Sequence, residues 1–289
     1  MLTQIDRMVL ATPDAAETAR NWVALLGAEP DGGDGTAALG ARRTRLRLAQ
    51  GFVELLEPDG AGPVADALAA RGRAHMFAAG VSTTDMPGLK RRLTDHGVTA
   101  AEENGQLHPD PTAMGVRGLR VVVSPHEERP SVGLLDFFYE ATLLDPAPEP
   151  AIARLATLFG LDRQIECPIA SETFGYEGAL TLFRPRQLHR FEVINPSKPG
   201  TTMARQLQKL GPVMYMGFGE AARIGEIETR ARAAGAGMTV DRPAARPADR
   251  MADQLWLHPD ALGGMMLGVS RPGMAWTWSG DPARVPPIG

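Results

Sequence analysis

The sequence predicts an α+β fold made of four βαβββ units arranged in two pairs. Three observations carry that expectation. The tetrapeptide Leu-His-Pro-Asp stands at 107–110 and again at 257–260, just over half of the 289 residues apart. Four amphipathic stretches each stop at a glycine, at Gly27, Gly97, Gly160 and Gly235, as helices do. Each of these stretches follows one strand-like run and precedes three more. Self-similarity of this kind marks a repeated architecture.

Taken in order, residues 5–11 read as a strand. Asp14 then caps a helix whose apolar stripe runs through Ala15, Ala19, Trp22 and Leu26 to Gly27. Strands are expected at Ala37–Leu39, Thr44–Ala49 and Gly51–Leu56, and a linker helix at VADALAARG. The second unit places a strand at His75–Val81, a helix at Met86–His96, and strands near Val98–Ala101, Gly105–His108 and Leu119–Ser124. The third places a strand at Leu135–Leu144, a helix in PAIARLATLFG, and strands at Gln164–Ile169, Gly178–Phe183 and Arg190–Ile194. The fourth has Val213–Phe218, a helix over 221–234, and strands at Met238–Val240, Gln254–His258 and Met265–Val269. Paired, the units predict domains over 1–128 and 131–275, with a tail at 276–289.

Composition narrows the function classes. A net charge of −4, with 30 basic against 34 acidic residues and no long basic run, gives no footprint for nucleic acid. No run of apolar residues is long enough to span a membrane. Cys167 is the only cysteine, which excludes an internal disulfide and a four-cysteine zinc site. With no signal-like N-terminus, the expected location is the cytoplasm.

The stretches IDRMVLATPDAAETARNWVALLGAEP, FVELLEPDG, LHPDALGGMMLGV and FEVINP, set in this repeat, resemble the vicinal oxygen chelate superfamily. That superfamily includes glyoxalase I, methylmalonyl-CoA epimerase, extradiol dioxygenases and bleomycin-resistance proteins. The resemblance implies two glyoxalase-like domains, each a curved, cupped sheet. It also implies a divalent metal held in the cup by the first and last strands of each unit. Those ligand positions fall on Arg7, Glu54, Met76 and Val122 in the first domain, and on Glu140, Glu192, Met214 and Gly268 in the second. Five of the eight cannot bind metal, so no metal or other cofactor is expected. A divalent ion on the two glutamates, helped by a one-residue slip bringing His75 or His189 inward, is the less favoured alternative.

In the first cup, a guanidinium at Arg7 facing Glu54 would close the site as an ion pair, leaving that domain non-catalytic. In the second, strand alternation puts Phe138, Thr142, Arg190, Met214, Met216, Met266 and Ser270 on the face of Glu140 and Glu192. Two adjacent carboxylates push one pKa upward, giving a neutral acid beside a charged base. The expected function is therefore an isomerase, epimerase or lyase acting on a mostly apolar, carbonyl-bearing small molecule. Glu140 and Glu192 would be the acid–base pair, with Arg190 stabilising the enolate. One alternative is a small-molecule binding protein of the bleomycin-resistance type. Another is an extradiol-type dioxygenase, which the missing ligands disfavour. A homodimer stays open, as many relatives dimerise. Gly217-Phe218-Gly219-Glu220-Ala221-Ala222 also fits a dinucleotide-binding turn, although the repeat argues against it. Trp276 and Trp278 either pack on an interface or lid the second cup.

Overall fold

The structure, a computed structural model, describes residues 1–247 and 250–287. The first half holds strands β1 (Leu2–Ala11), β2 (Glu29–Thr36), β3 (Ala41–Leu48), β4 (Gly51–Pro58), β5 (His75–Thr83), β6 (Ala100–Glu103), β7 (Gln106–Pro109) and β8 (Val121–Pro125). Its helices are α1 (Ala15–Leu26), α2 (Pro63–Arg71), α3 (Met86–Asp95) and the short α4 (Pro111–Met114). The second half holds β9 (Phe137–Leu144), β10 (Cys167–Ser171), β11 (Tyr176–Leu182), β12 (Arg190–Pro196), β13 (Val213–Glu220), β14 (Met238–Asp241), β15 (Gln254–Leu257) and β16 (Met266–Ser270). Between them run α5 (Pro148–Phe159), α6 (Thr202–Leu210) and α7 (Ile224–Ala233).

The strands form two curled sheets of identical order, β2-β3-β4-β1-β5-β8-β7-β6 and β10-β11-β12-β9-β13-β16-β15-β14. Within each βαβββ unit the first strand lies parallel to the last, and the two units join through their first strands, antiparallel. The fold is thus α+β, with two cupped-sheet domains. Asp14 caps α1 as expected, accepting from the Glu17 amide at 2.8 Å, and Gly27 ends it with φ +70°.

Helices α1 and α7 pack across the junction, as do α3 and α5, and one apolar core runs through both halves. The seam is also hydrogen-bonded. Gln50 donates to the carbonyls of Ile5 (3.2 Å) and Phe138 (3.3 Å), and accepts from the Phe138 amide at 3.0 Å. The Trp22 indole donates to Leu262 O at 3.1 Å. None of the described helices is long and apolar enough to cross a membrane.

Several expectations need correction. Ala37–Leu39 is a 3-10 turn, not a strand. The strand lies earlier, in EPDGGDGT, where no apolar alternation announces it. Helix α6 carried no expectation at all. Gly217 and Gly219 lie inside β13, while α7 begins only at Ile224, so the pattern there forms no strand-to-helix phosphate turn. The second Leu-His-Pro-Asp opens a 3-10 turn at Pro259–Leu262, and the first places Asp110 as the cap of α4.

Two corresponding β-bulges in each sheet bear on which residues face its cup. In β9 the pairing with β13 runs Phe218 to Glu140, then Gly219 to Phe138, so Tyr139 is an extra residue. In β13, Met214 pairs Leu143 and Met216 pairs Thr142, leaving Tyr215 extra. The first sheet carries the same bulges at Asp6 and Phe77. Each extra residue reverses the in–out alternation of the strand beyond it.

Candidate active site

The first cup is closed by charge and by apolar side chains. Arg7 donates to Glu54 at 2.5 Å and to Asp6 at 2.7 Å. Gln106 donates to the same Glu54 oxygen at 2.9 Å, and Arg43, bound to Asp34 at 2.6 Å, also contacts Gln106. The expected ion pair is therefore present, within a larger network. Above it Val64 of α2 packs with Leu39, Phe77 and Val122, leaving a cavity of 140 Å³.

The second cup is open. Its cavity measures about 1220 Å³ and is lined by Tyr176, Tyr215, Phe218, Trp256 and Trp278 around Glu140 and Glu192. Phe174 closes one side by packing edge-on against Trp256, with ring centroids 5.3 Å apart. Helix α6 and the segment before it contribute Thr201, Met203 and Gln206.

Glu140 and Glu192 come together as the sequence suggests, but unequally. Arg190 Nε donates to Glu140 at 2.7 Å, and both side chains are almost wholly buried. Arg190 is held further by the Leu188 carbonyl (3.3 Å) and Ser279 Oγ (2.7 Å), and its guanidinium lies 4.8 Å from the centre of the Tyr139 ring. Glu192 has no cation of its own. The Thr142 hydroxyl donates to it at 2.6 Å, within 3.4 Å of Glu140. Burial first, and the Glu140 charge second, push the Glu192 carboxyl well above the usual carboxylate range. The site therefore holds one carboxylate paired with a cation and a second acid, without a cation, whose pKa is raised.

Of the other residues expected on this face, Met216 and Met266 line the cavity, and Thr142 bridges the two acids. Ser270 is fully buried and hydrogen-bonds the Tyr139 hydroxyl at 3.1 Å. Phe138 and Met214 do not face the cup. Both sit in the apolar core, because the bulges at Tyr139 and Tyr215 reverse the alternation on which their placement rested. Arg190 is in place but is not among the residues lining the cavity, so its role shifts from touching a ligand to positioning Glu140. The sequence reading missed Tyr139, Tyr215, Phe218 and Ser279. An alternating pattern cannot reveal a bulge, and Ser279 lies in the tail. Of the two roles considered for that tail, the structure supports the second: Trp278 lines the cavity, while Trp276 packs beside Tyr139 and Phe218 within the same half.

The donor set does not fit the metal that the resemblance implies. Arg190 already occupies one oxygen of Glu140. The space a side chain at Gly268 would need is filled by the Phe218 ring, 2.1 Å from where a Cβ would stand. His189 is no ligand: its Nδ1 accepts from the Ile5 amide at 3.2 Å, and burial, reinforced by Arg190, lowers its pKa to about 3. His75 is tied to the Arg73 carbonyl at 2.9 Å. No group of three or more His, Cys, Asp or Glu among the described residues is arranged to hold a metal.

Comparison with known structures agrees with the architecture. A triple mutant of 4-hydroxymandelate synthase from Streptomyces coelicolor is similar over 94% of this chain and 93% of its own, at 14% identity and a TM-score of 0.70. A xylose isomerase-like TIM barrel/4-hydroxyphenylpyruvate dioxygenase fusion protein matches 94% of this chain over 49% of its own, at 14% identity and a TM-score of 0.64. Methylmalonyl-CoA epimerase from Mycobacterium tuberculosis aligns with 48% of this chain and 90% of its own, at 17% identity and a TM-score of 0.40. By sequence, no curated protein matches. Residues 5–164 match the family described as glyoxalase-like domain, and the chain belongs to that family.

Proposed function

We propose that the second cup is an active site that moves a proton on a mostly apolar, carbonyl-bearing small molecule, as an isomerase, epimerase or lyase. The observation that carries this reading is the pairing of Glu192, whose pKa burial and the Glu140 charge raise, with an ion-paired Glu140 on the wall of a large aromatic cavity; the reading takes Glu192 as the neutral acid. A neutral carboxylic acid can donate a hydrogen bond to a carbonyl oxygen, stabilising the negative charge that develops there when an adjacent proton leaves. Glu140 is the base that would take that proton. Its hold on Arg190 fixes the carboxylate's orientation, and Thr142 keeps the two acids in register. The aromatic walls supply apolar contact and exclude water, which strengthens both interactions. On this reading no metal takes part and the first cup is structural. The free Cys167 fits a reducing compartment such as the cytoplasm.

Solvent-deuterium exchange into carbonyl compounds bearing an aromatic or branched apolar group tests the reading. Exchange should fall at least a hundredfold in both Glu140→Gln and Glu192→Gln. Exchange that survives both changes would refute the acid–base assignment. Stoichiometric iron or manganese in the purified protein would revive the dioxygenase alternative.

A second reading, ligand capture without turnover, is favoured by one observation. Arg190 is engaged by Glu140, Leu188 O and Ser279, its remaining Nη2 is buried without a partner, and it does not line the cavity, so no guanidinium faces a bound enolate. Tight uptake of such compounds, with no exchange in the unmodified chain, would select it.

A further inference from the structure

A second cleft, about 410 Å³, opens between the two halves and shares no lining residue with the cup. Arg71 at the end of α2, and Arg117 and Arg120 ahead of β8, line it, with Val213 and Met214 from the other half opposite. No aspartate or glutamate lines it, and none of the three arginines has a salt-bridge partner among the described residues, although the charges of Asp66 and Asp110 reach Arg120. Elsewhere this chain pairs its buried arginines closely: Arg7, Arg43, Arg190 and Arg271 each have a carboxylate within 2.7 Å. Arg71 Nε is sealed from solvent with no hydrogen-bond partner. A donor left in that state is costly unless something supplies an acceptor.

The loop that carries Arg117 is pressed against the second half. A Cβ at Gly118, whose φ is +77°, would stand 2.1 Å from the Pro212 carbonyl. The arginines are therefore presented from a helix end and a tightly seated turn. On the cleft wall, burial first, and then the charges of Arg71, Arg73 and Arg120, lower the pKa of His75 to about 4.

We propose that this cleft binds a phosphoryl group, either as free phosphate or on a small phosphorylated molecule. Guanidinium forks match tetrahedral oxyanions bidentately, and arginines lining one cleft offer the chemistry such a group needs. The proposal does not rest on the reading of the cup.

Titration calorimetry of the full chain in a chloride-free, low-ionic-strength buffer tests it, with inorganic phosphate and glycerol 3-phosphate as probes. Saturable binding of either, weakened at least tenfold in Arg71→Gln and Arg117→Gln, is expected. Tighter binding of glycerol 3-phosphate assigns the small molecule, and tighter binding of phosphate assigns the free ion. Arg117 is exposed, so its variant decides the matter if Arg71→Gln fails to fold. No saturable binding, unchanged binding in a folded Arg117→Gln variant, or equal binding of nitrate would overturn the proposal.

Discussion

On the proposed function Glu192 carries the chemistry of the second cup, and its protonation is open to linkage. The folded chain holds this proton more tightly than the unfolded chain does. As pH rises above the ordinary carboxylate value of 4.5, the unfolded state gives up its proton and the native state does not. Stability therefore falls with rising pH by up to about 1.4 kcal/mol per unit, until the folded pKa is passed. Glu192→Gln removes that loss, so its melting temperature should gain on the parent chain as pH rises above 4.5, until the folded pKa is passed. A constant difference across that range would contradict a raised pKa. Arg190 behaves in the opposite sense. Replacing it with Met strands a buried Glu140 carboxylate and should cost about 3–5 kcal/mol in denaturant titration. Both glutamates were legible from sequence: the count back from the helix-ending Gly160, matched to that from Gly27, places Glu140, and the family resemblance of the last strand, FEVINP, places Glu192. Their inequality was not, because it depends on which carboxylate Arg190 reaches.

Among the elements, the bulges matter most. Alternation in β9 and β13 identified the strands correctly, yet placed Phe138 and Met214 on the wrong face, since one extra residue at Tyr139 or Tyr215 leaves no mark in the pattern. Strand β2 escaped for a related reason: most of its residues are solvent-facing and none is a large apolar residue. The bulged geometry also lets Phe218 swing over Gly268, where a ligand carboxylate is expected from the family resemblance. Gly268→Ala should accordingly overpack the cup and cost about 1–3 kcal/mol. The same change made in a Phe218→Ala background should cost much less, a non-additivity that a double-mutant cycle measures directly. Additive losses would show that the ring and the glycine do not compete for one space.

Across the whole molecule, two copies of one architecture have diverged in their charges. The first cup takes its cation from β1, as Arg7, and satisfies it within a closed network. The second takes its cation from β12, as Arg190, and keeps one carboxylate more than that cation neutralises. The halves are joined by buried polar contacts as well as by apolar packing. His189 must stay neutral to accept from the Ile5 amide, and its folded pKa of about 3 lies below the ordinary 6.5. Between those values the unfolded chain binds the extra proton, so the histidine's contribution to stability is lost as pH falls. His189→Asn should flatten that acid-side loss, which thermal melts at stepped pH would show. The repeat itself was plain in the sequence, whereas the seam was not, because Gln50 and His189 carry no periodic signal. The account stands on one acid being neutral and its neighbour ion-paired. Infrared difference spectra of the protein at neutral pH, parent minus Glu192→Gln, test this most directly. The account predicts a protonated carboxyl C=O stretch in the parent that disappears in the variant; a carboxylate band in its place would contradict it.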